Sequence, residues 1–179
     1  MKNILLASTS LVLLLGVGAR SAQATISMYA YESNGDVVTS ASGTANLAGL
    51  NFEGSFGLGS FVEADIAQIA MGTGYLNIYN GITGPVALGT GGGYFADSNE
   101  SLTGLSISGS DNRIYLPQGY VAGSAISAFA TYSSTTLAGL GLTVGTYTWT
   151  WGSGATADSL VLNNGAAPPA AVPEPASLA

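Results

Sequence analysis

Cysteine and histidine are both absent from the 179 residues, and lysine and arginine together number only three. Without a thiol there is no disulfide, no thiolate nucleophile and no thiolate metal ligand. Without an imidazole there is no Ser-His-Asp triad, no zinc site of the usual nitrogen-and-sulfur kind and no imidazole acid or base. Chemistry is left to carboxylates, hydroxyls, backbone groups and arginine. Charged residues of both signs make up 7% of the chain and the net charge is −7. A chain so poor in cations cannot neutralise a row of phosphates, which excludes nucleic acid as a partner and argues against anionic lipid. Low charge does not mean disorder here, because 47% of the residues are hydrophobic and 26 are glycine, a balance that can bury a core and turn often.

The two ends read as addresses. Lys2, an apolar run over residues 4–17 and the small-x-small triplet Ala22, Gln23, Ala24 before Thr25 have the layout of a secretory signal peptide spanning 1–24, with a signal helix and cleavage between Ala24 and Thr25. Ser8, Thr9 and Ser10 interrupt the run, which falls short of the roughly 20 apolar residues a membrane span needs. Cleavage would remove Lys2 and Arg20, leaving Arg113 as the single cation against ten carboxylates, a net charge near −9. Export without cysteine means that stability must come from core burial, which the central region is long enough to supply.

At the other end, residues 165–171 are Ala, Pro and Gly, followed by Val172, Pro173, Glu174, Pro175 and Ala176. This segment resembles the opening of the PEP-CTERM sorting signal, and the chain is identified as a member of the PEP-CTERM proteins on that ground. The resemblance implies handling by an exosortase in a Gram-negative or cyanobacterial cell and an association with exopolysaccharide and biofilm. It carries no catalytic residue. The pattern would continue with an apolar helix and an arginine cluster, whereas this sequence stops at Ala179, so membrane contact is expected only transiently, in a longer precursor. Two prolines keep the segment extended and present Glu174 to solvent in a disordered tail. The stretch from Tyr115 to Tyr120, Ser124 to Ser127, Leu140 to Leu142 and Gly145 to Ala155 also resembles the bodies of small PEP-CTERM proteins.

Between the ends, over residues 25–164, apolar residues recur with period two and glycine, Asn or Asp punctuates them at short intervals. That is the arithmetic of one all-β domain, an antiparallel β-sandwich or jelly roll of about 8–10 short strands. Candidate strands are 26–31, 37–47, 51–56, 61–67, 75–79, 105–108, 113–116, 124–132, 146–151 and 157–162. Residues 62–71 carry some three-and-four spacing, and 137–142 could make one helical turn shortened by Gly139 and Gly141.

Tyr147, Trp149 and Trp151 alternate with Thr146, Thr148 and Thr150. Three aromatics on one face could stack on sugar rings, and they are also what the inside of a sandwich requires; the core is the better expectation. The same choice applies to Tyr29 with Tyr31. For Tyr75 and Tyr79 the intervening Leu76 and Ile78 look like core, which would turn the tyrosines outward.

Oxygen-rich loops at Asn34, Gly35, Asp36, at Asp97, Ser98, Asn99, Glu100 and at Asp111, Asn112 are candidate structural calcium ligands, though none has calcium-motif spacing and a turn is the plainer reading. No cofactor is expected. Glu53, Glu63, Asp65, Asp97, Glu100, Asp111 and Asp158 could supply the paired carboxylates of a glycosidase, yet nothing in their spacing brings two together. Thr90 and Gly91 to Gly93 form a loop with no lysine to meet a phosphate, and Asn99 begins a glycosylation sequon. The expectation is an exported, non-enzymatic protein of the cell surface or matrix, with a carbohydrate-binding module or a self-assembling matrix protein as its rivals.

Overall fold

A computed structural model describes residues 25–98 and 103–170. The signal segment with Ala22 and Ala24, the motif Val172, Pro173, Glu174 and Pro175, and the pair Asn99 and Glu100 lie outside the described residues; Thr25 is the first residue of the first strand.

Among the described residues, twelve strands form two sheets that pack as a sandwich: β1 Thr25–Ser33, β2 Asp36–Gly43, β3 Asn51–Leu58, β4 Phe61–Glu63, β5 Gln68–Met71, β6 Gly74–Asn80, β7 Gly93–Phe95, β8 Leu105–Ser108, β9 Arg113–Pro117, β10 Ile126–Tyr132, β11 Gly145–Trp151 and β12 Asp158–Asn164. The five-stranded sheet has the order β10-β2-β1-β12-β11, and the seven-stranded sheet the order β3-β6-β9-β8-β5-β4-β7. The expected all-β sandwich is what the chain forms. Every pairing is antiparallel except β1 with β12, which run parallel in the register Thr25 opposite Ser159 to Ala30 opposite Asn164. The first and last of the described strands thus lie side by side in mid-sheet, with Thr25 at one end of that sheet and Asn164 at the other.

Alternation decides the layers. In the five-stranded sheet Ile26, Met28, Ala30, Trp149, Leu160 and Leu162 point inward and are fully buried. They meet Val62, Ile69, Met71, Leu105, Ile107 and Ile114 from the inward face of the other sheet. Backbone turns follow local chemistry. Asn34 and Gly35 join β1 to β2 with both residues at positive φ, 54° and 87°, the left-handed pair of a two-residue hairpin that Asn and Gly tolerate best.

One expectation changes. The three-and-four spacing over 62–71 does not make a helix: Ala64–Ile66 form a single 3₁₀ turn, Ala67 reverses the chain at φ 51°, and β5 folds back on β4 with Phe61 opposite Ala70 and Glu63 opposite Gln68. The apolar spacing reflects a short hairpin whose second strand is buried at all four positions. Over 137–142 the chain makes turns, in which the Leu140 amide donates to Thr136 and the Leu142 amide to Leu137. Gly141 is what lets this loop touch the loop before β7, because a Cβ there would sit 2.2 Å from the Gly91 Cα, and its φ is +71°.

Candidate functional site

Trp149 and Trp151 are core residues. Trp149 has no exposure and Trp151 has 3%. Their indole N–H groups donate to the Pro85 carbonyl at 3.0 Å and the Asn46 carbonyl at 2.7 Å, so each ring is covered by a loop that it helps to hold. Tyr147 is half-buried, and its hydroxyl donates to the Thr143 carbonyl at 2.9 Å. Of the two readings of this face, the core is the one that holds for Trp149 and Trp151, and sugar stacking is corrected for them, since no sugar ring can reach a fully buried indole; Tyr147 shares their face but keeps part of its ring in solvent. The reason is register, which places Trp149 opposite Leu160 and Tyr147 opposite Leu162, on the inward face of β12.

Nor do Tyr75 and Tyr79 behave alike. Tyr75 is 67% exposed, whereas Tyr79 is 8% exposed beneath Phe52, whose ring lies 5.7 Å away edge to face. A bulge in β3 at Glu53 lets Phe52 pair with Tyr79 while Gly54 pairs with Ile78, shifting the phase of the strand.

The carboxylates are engaged one by one, most of them from strands, with partners on neighbouring segments. Asp36 accepts from the Ser134 amide, Asp97 from the Ser133 amide and Glu32 from the Leu137 amide, all at 2.7 to 2.9 Å. The hairpin Asn34, Gly35, Asp36 is therefore a turn tied to a neighbouring loop. Asp111 accepts from the Ser108 hydroxyl and stands 3.8 Å from Arg113, while Asn112 takes the left-handed conformation of a turn at φ 56°. Glu53 pairs with Arg113 at 2.7 Å and also accepts from Asn80; the guanidinium hydrogen bond holds its carboxyl below the ordinary value. Asp158 is buried, and burial pushes its pKa up against the opposing effect of two amides, of Asn46 and Ser159, that donate to it at 2.6 Å. Among the described residues, no group of three or more carboxylates is placed to share a metal ion.

What the fold does assemble is a face. The outward side of the five-stranded sheet carries Thr146, Asn163, Tyr29, Ser40 and Phe129 in one row across the strands. The adjacent row is Thr148, Val161, Ser27, Ser42 and Ser127. On the other side of the first row stand Tyr31, Val38 and Thr131. These thirteen positions hold seven Ser or Thr hydroxyls and no charged side chain, in a chain with ten acidic residues. Tyr29, Tyr31 and Phe129 are half-buried among them. Tyr31 also borders a cleft of about 440 Å³ at the end of the sheet, lined by Glu32, Leu137, Val144 and the start of the tail at Gly165 and Ala167. Tyr29 and Tyr31 are legible as a pair in the sequence, whereas Phe129 is signalled there only by its alternation with Ala128 and Ala130.

A second exposed group lies on the seven-stranded sheet. Phe52 at 60% and Phe56 at 58% stand on edge strand β3, beside Tyr75 on β6; Tyr94 at 42% and Phe95 at 81% stand on the opposite edge strand, β7.

No family model, no curated protein and no solved structure matches the chain.

Proposed function

We propose that this chain is an exported, non-enzymatic protein of the cell surface or extracellular matrix, sorted by an exosortase through Val172, Pro173, Glu174 and Pro175 and acting by contact with exopolysaccharide and matrix neighbours. The observation that supports it is the exposure of Phe52, Phe56, Tyr75, Tyr94 and Phe95 at both edges of one sheet. Large aromatics left in water on edge strands are expensive to carry unless something covers them, and monomeric proteins blunt such edges with charge or proline. The parallel pairing of β1 with β12 adds a geometric point: residues 165–170 leave the sheet at the end opposite Thr25, clear of the domain's entry.

A self-assembling matrix protein is the second reading, favoured by β3, eight residues long and, among the described residues, paired on one side only, with β6. In either case the chain is expected in the extracellular polysaccharide fraction of the producing cell, and recovery from the cytoplasm would sink the proposal. Release of reducing ends from that polysaccharide by the purified protein would overturn its non-enzymatic part. Concentration-dependent fibres that Phe56→Lys abolishes would select the self-assembling form.

A further inference from the structure

We infer that the outward face of the five-stranded sheet binds an uncharged, extended β-linked polysaccharide, with Tyr29, Tyr31 and Phe129 as stacking groups. The inference rests on the matrix reading above and assigns it a ligand class and a surface. Charge is the first argument. An acidic protein that keeps every carboxylate off thirteen contiguous positions has a face on which a neutral polymer meets neither repulsion nor an unpaired ion. A carboxylated or sulfated chain would find no cation there and would be opposed by the net charge of −7.

Spacing is the second argument. Tyr29 on β1 and Phe129 on β10 share a row with one strand between them, which separates their backbones by about 10 Å, two strand spacings. That matches the disaccharide repeat of an extended β-linked glycan, so two rings meet alternate sugars while the Ser40 hydroxyl faces the sugar between. Tyr31, two residues along β1, lies about 7 Å away and leads to the cleft beside Gly165. Aromatic rings bury the apolar faces of pyranoses, and the hydroxyls of Ser27, Ser42 and Thr148 offer both donors and acceptors to their equatorial groups. The face is polar between its rings, which suits a sugar chain better than the apolar surface of a second protein.

The test is depletion of the full chain by microcrystalline cellulose and affinity electrophoresis in hydroxyethylcellulose, with alginate as the charged comparison. Wild type should bind the two neutral glucans and ignore alginate. Tyr29→Ala/Tyr31→Ala should weaken binding about tenfold or more. Ser42→Asp, which adds charge at an exposed position and removes no packing, should do the same. Val86→Ser, at an exposed loop position off this face, should bind as wild type. Far-UV circular dichroism verifies the fold of each, and if the double tyrosine variant unfolds, Ser42→Asp decides. Binding to neither glucan, or undiminished binding by folded face variants, overturns the inference. Should the protein still sit in the matrix fraction and bind the native polysaccharide, the functional proposal stands and only the face is wrong. A dimer dissolved by Ser42→Asp, with no glucan binding, would give the face to a second copy and likewise overturn it.

Discussion

Replacing Trp149 by alanine separates a core indole from a binding platform, and the structure sets the size of the effect. The side chain is wholly buried between the sheets, and its N–H is the donor to the Pro85 carbonyl in the loop between β6 and β7. Truncating a buried Trp to Ala costs about 3–5 kcal/mol from lost transfer energy and the residual cavity. The orphaned carbonyl adds about 1 kcal/mol or more wherever water cannot reach it. A domain of this size has about 5–15 kcal/mol to lose, so Trp149→Ala should shift the urea midpoint by a large fraction of its range or leave the chain unfolded. Trp149→Phe keeps most of the volume and removes the N–H; about 1–3 kcal/mol is expected, dominated by the unpaired carbonyl. Tyr75→Ala, at a position 67% exposed, should change stability by no more than about 0.5 kcal/mol. Far-UV circular dichroism is the right probe, since tryptophan fluorescence would lose one of its two reporters. A loss below about 1 kcal/mol for Trp149→Ala, with an unchanged denaturant slope, would refute the core placement.

Two further substitutions test the loops and the buried carboxylate. Gly141→Ala combines a positive φ with a Cβ that meets Gly91 backbone at 2.2 and 2.3 Å, so it should cost about 2 kcal/mol or more in chemical denaturation. Gly35→Ala, at φ +87° with open space around it, should cost only the backbone strain of about 1 kcal/mol. Asp158 has a folded pKa raised above 3.8, so in the window just above that value the folded state holds more protons than the unfolded chain. Its contribution is present below that window and is lost as pH rises through the raised value. Asp158→Asn should therefore make the rise of stability with pH steeper in that window than in wild type, as measured by urea unfolding across the acid range; an unchanged slope would count against the assignment. Glu53, with its pKa lowered by Arg113, acts in the opposite sense and loses its contribution as pH falls.

Alternation made the sandwich legible. Most candidate strands fall within a residue or two of the observed ones, because hydrophobic period two and Gly or Asn punctuation are local signals. Those that escaped were short and hidden by context. Gln68–Met71 is buried at all four positions, so it shows no alternation, and Gly93–Phe95 follows a glycine run that reads as loop. The parallel pairing of β1 with β12 joins residues over 130 positions apart, and no local pattern reports it.

Faces were harder than strands, and β11 shows why. Alternation states that Tyr147, Trp149 and Trp151 share a side without saying whether water or protein lies there. The answer sits in the partner strand: antiparallel pairing through the turn at residues 152–157 sets Trp149 opposite Leu160 and Thr148 opposite Val161, next to Ser27 on β1. Had the aromatics faced outward, Leu160, Leu162, Met28 and Ile26 would have been exposed with them, since a one-residue slip moves a whole set of side chains across the sheet. The same logic turns Tyr29 and Tyr31 outward, because they alternate with Met28 and Ala30, which share the buried face of the indoles. Burying the tryptophans is thus the condition for presenting the tyrosines. One register choice makes both the core and the uncharged face.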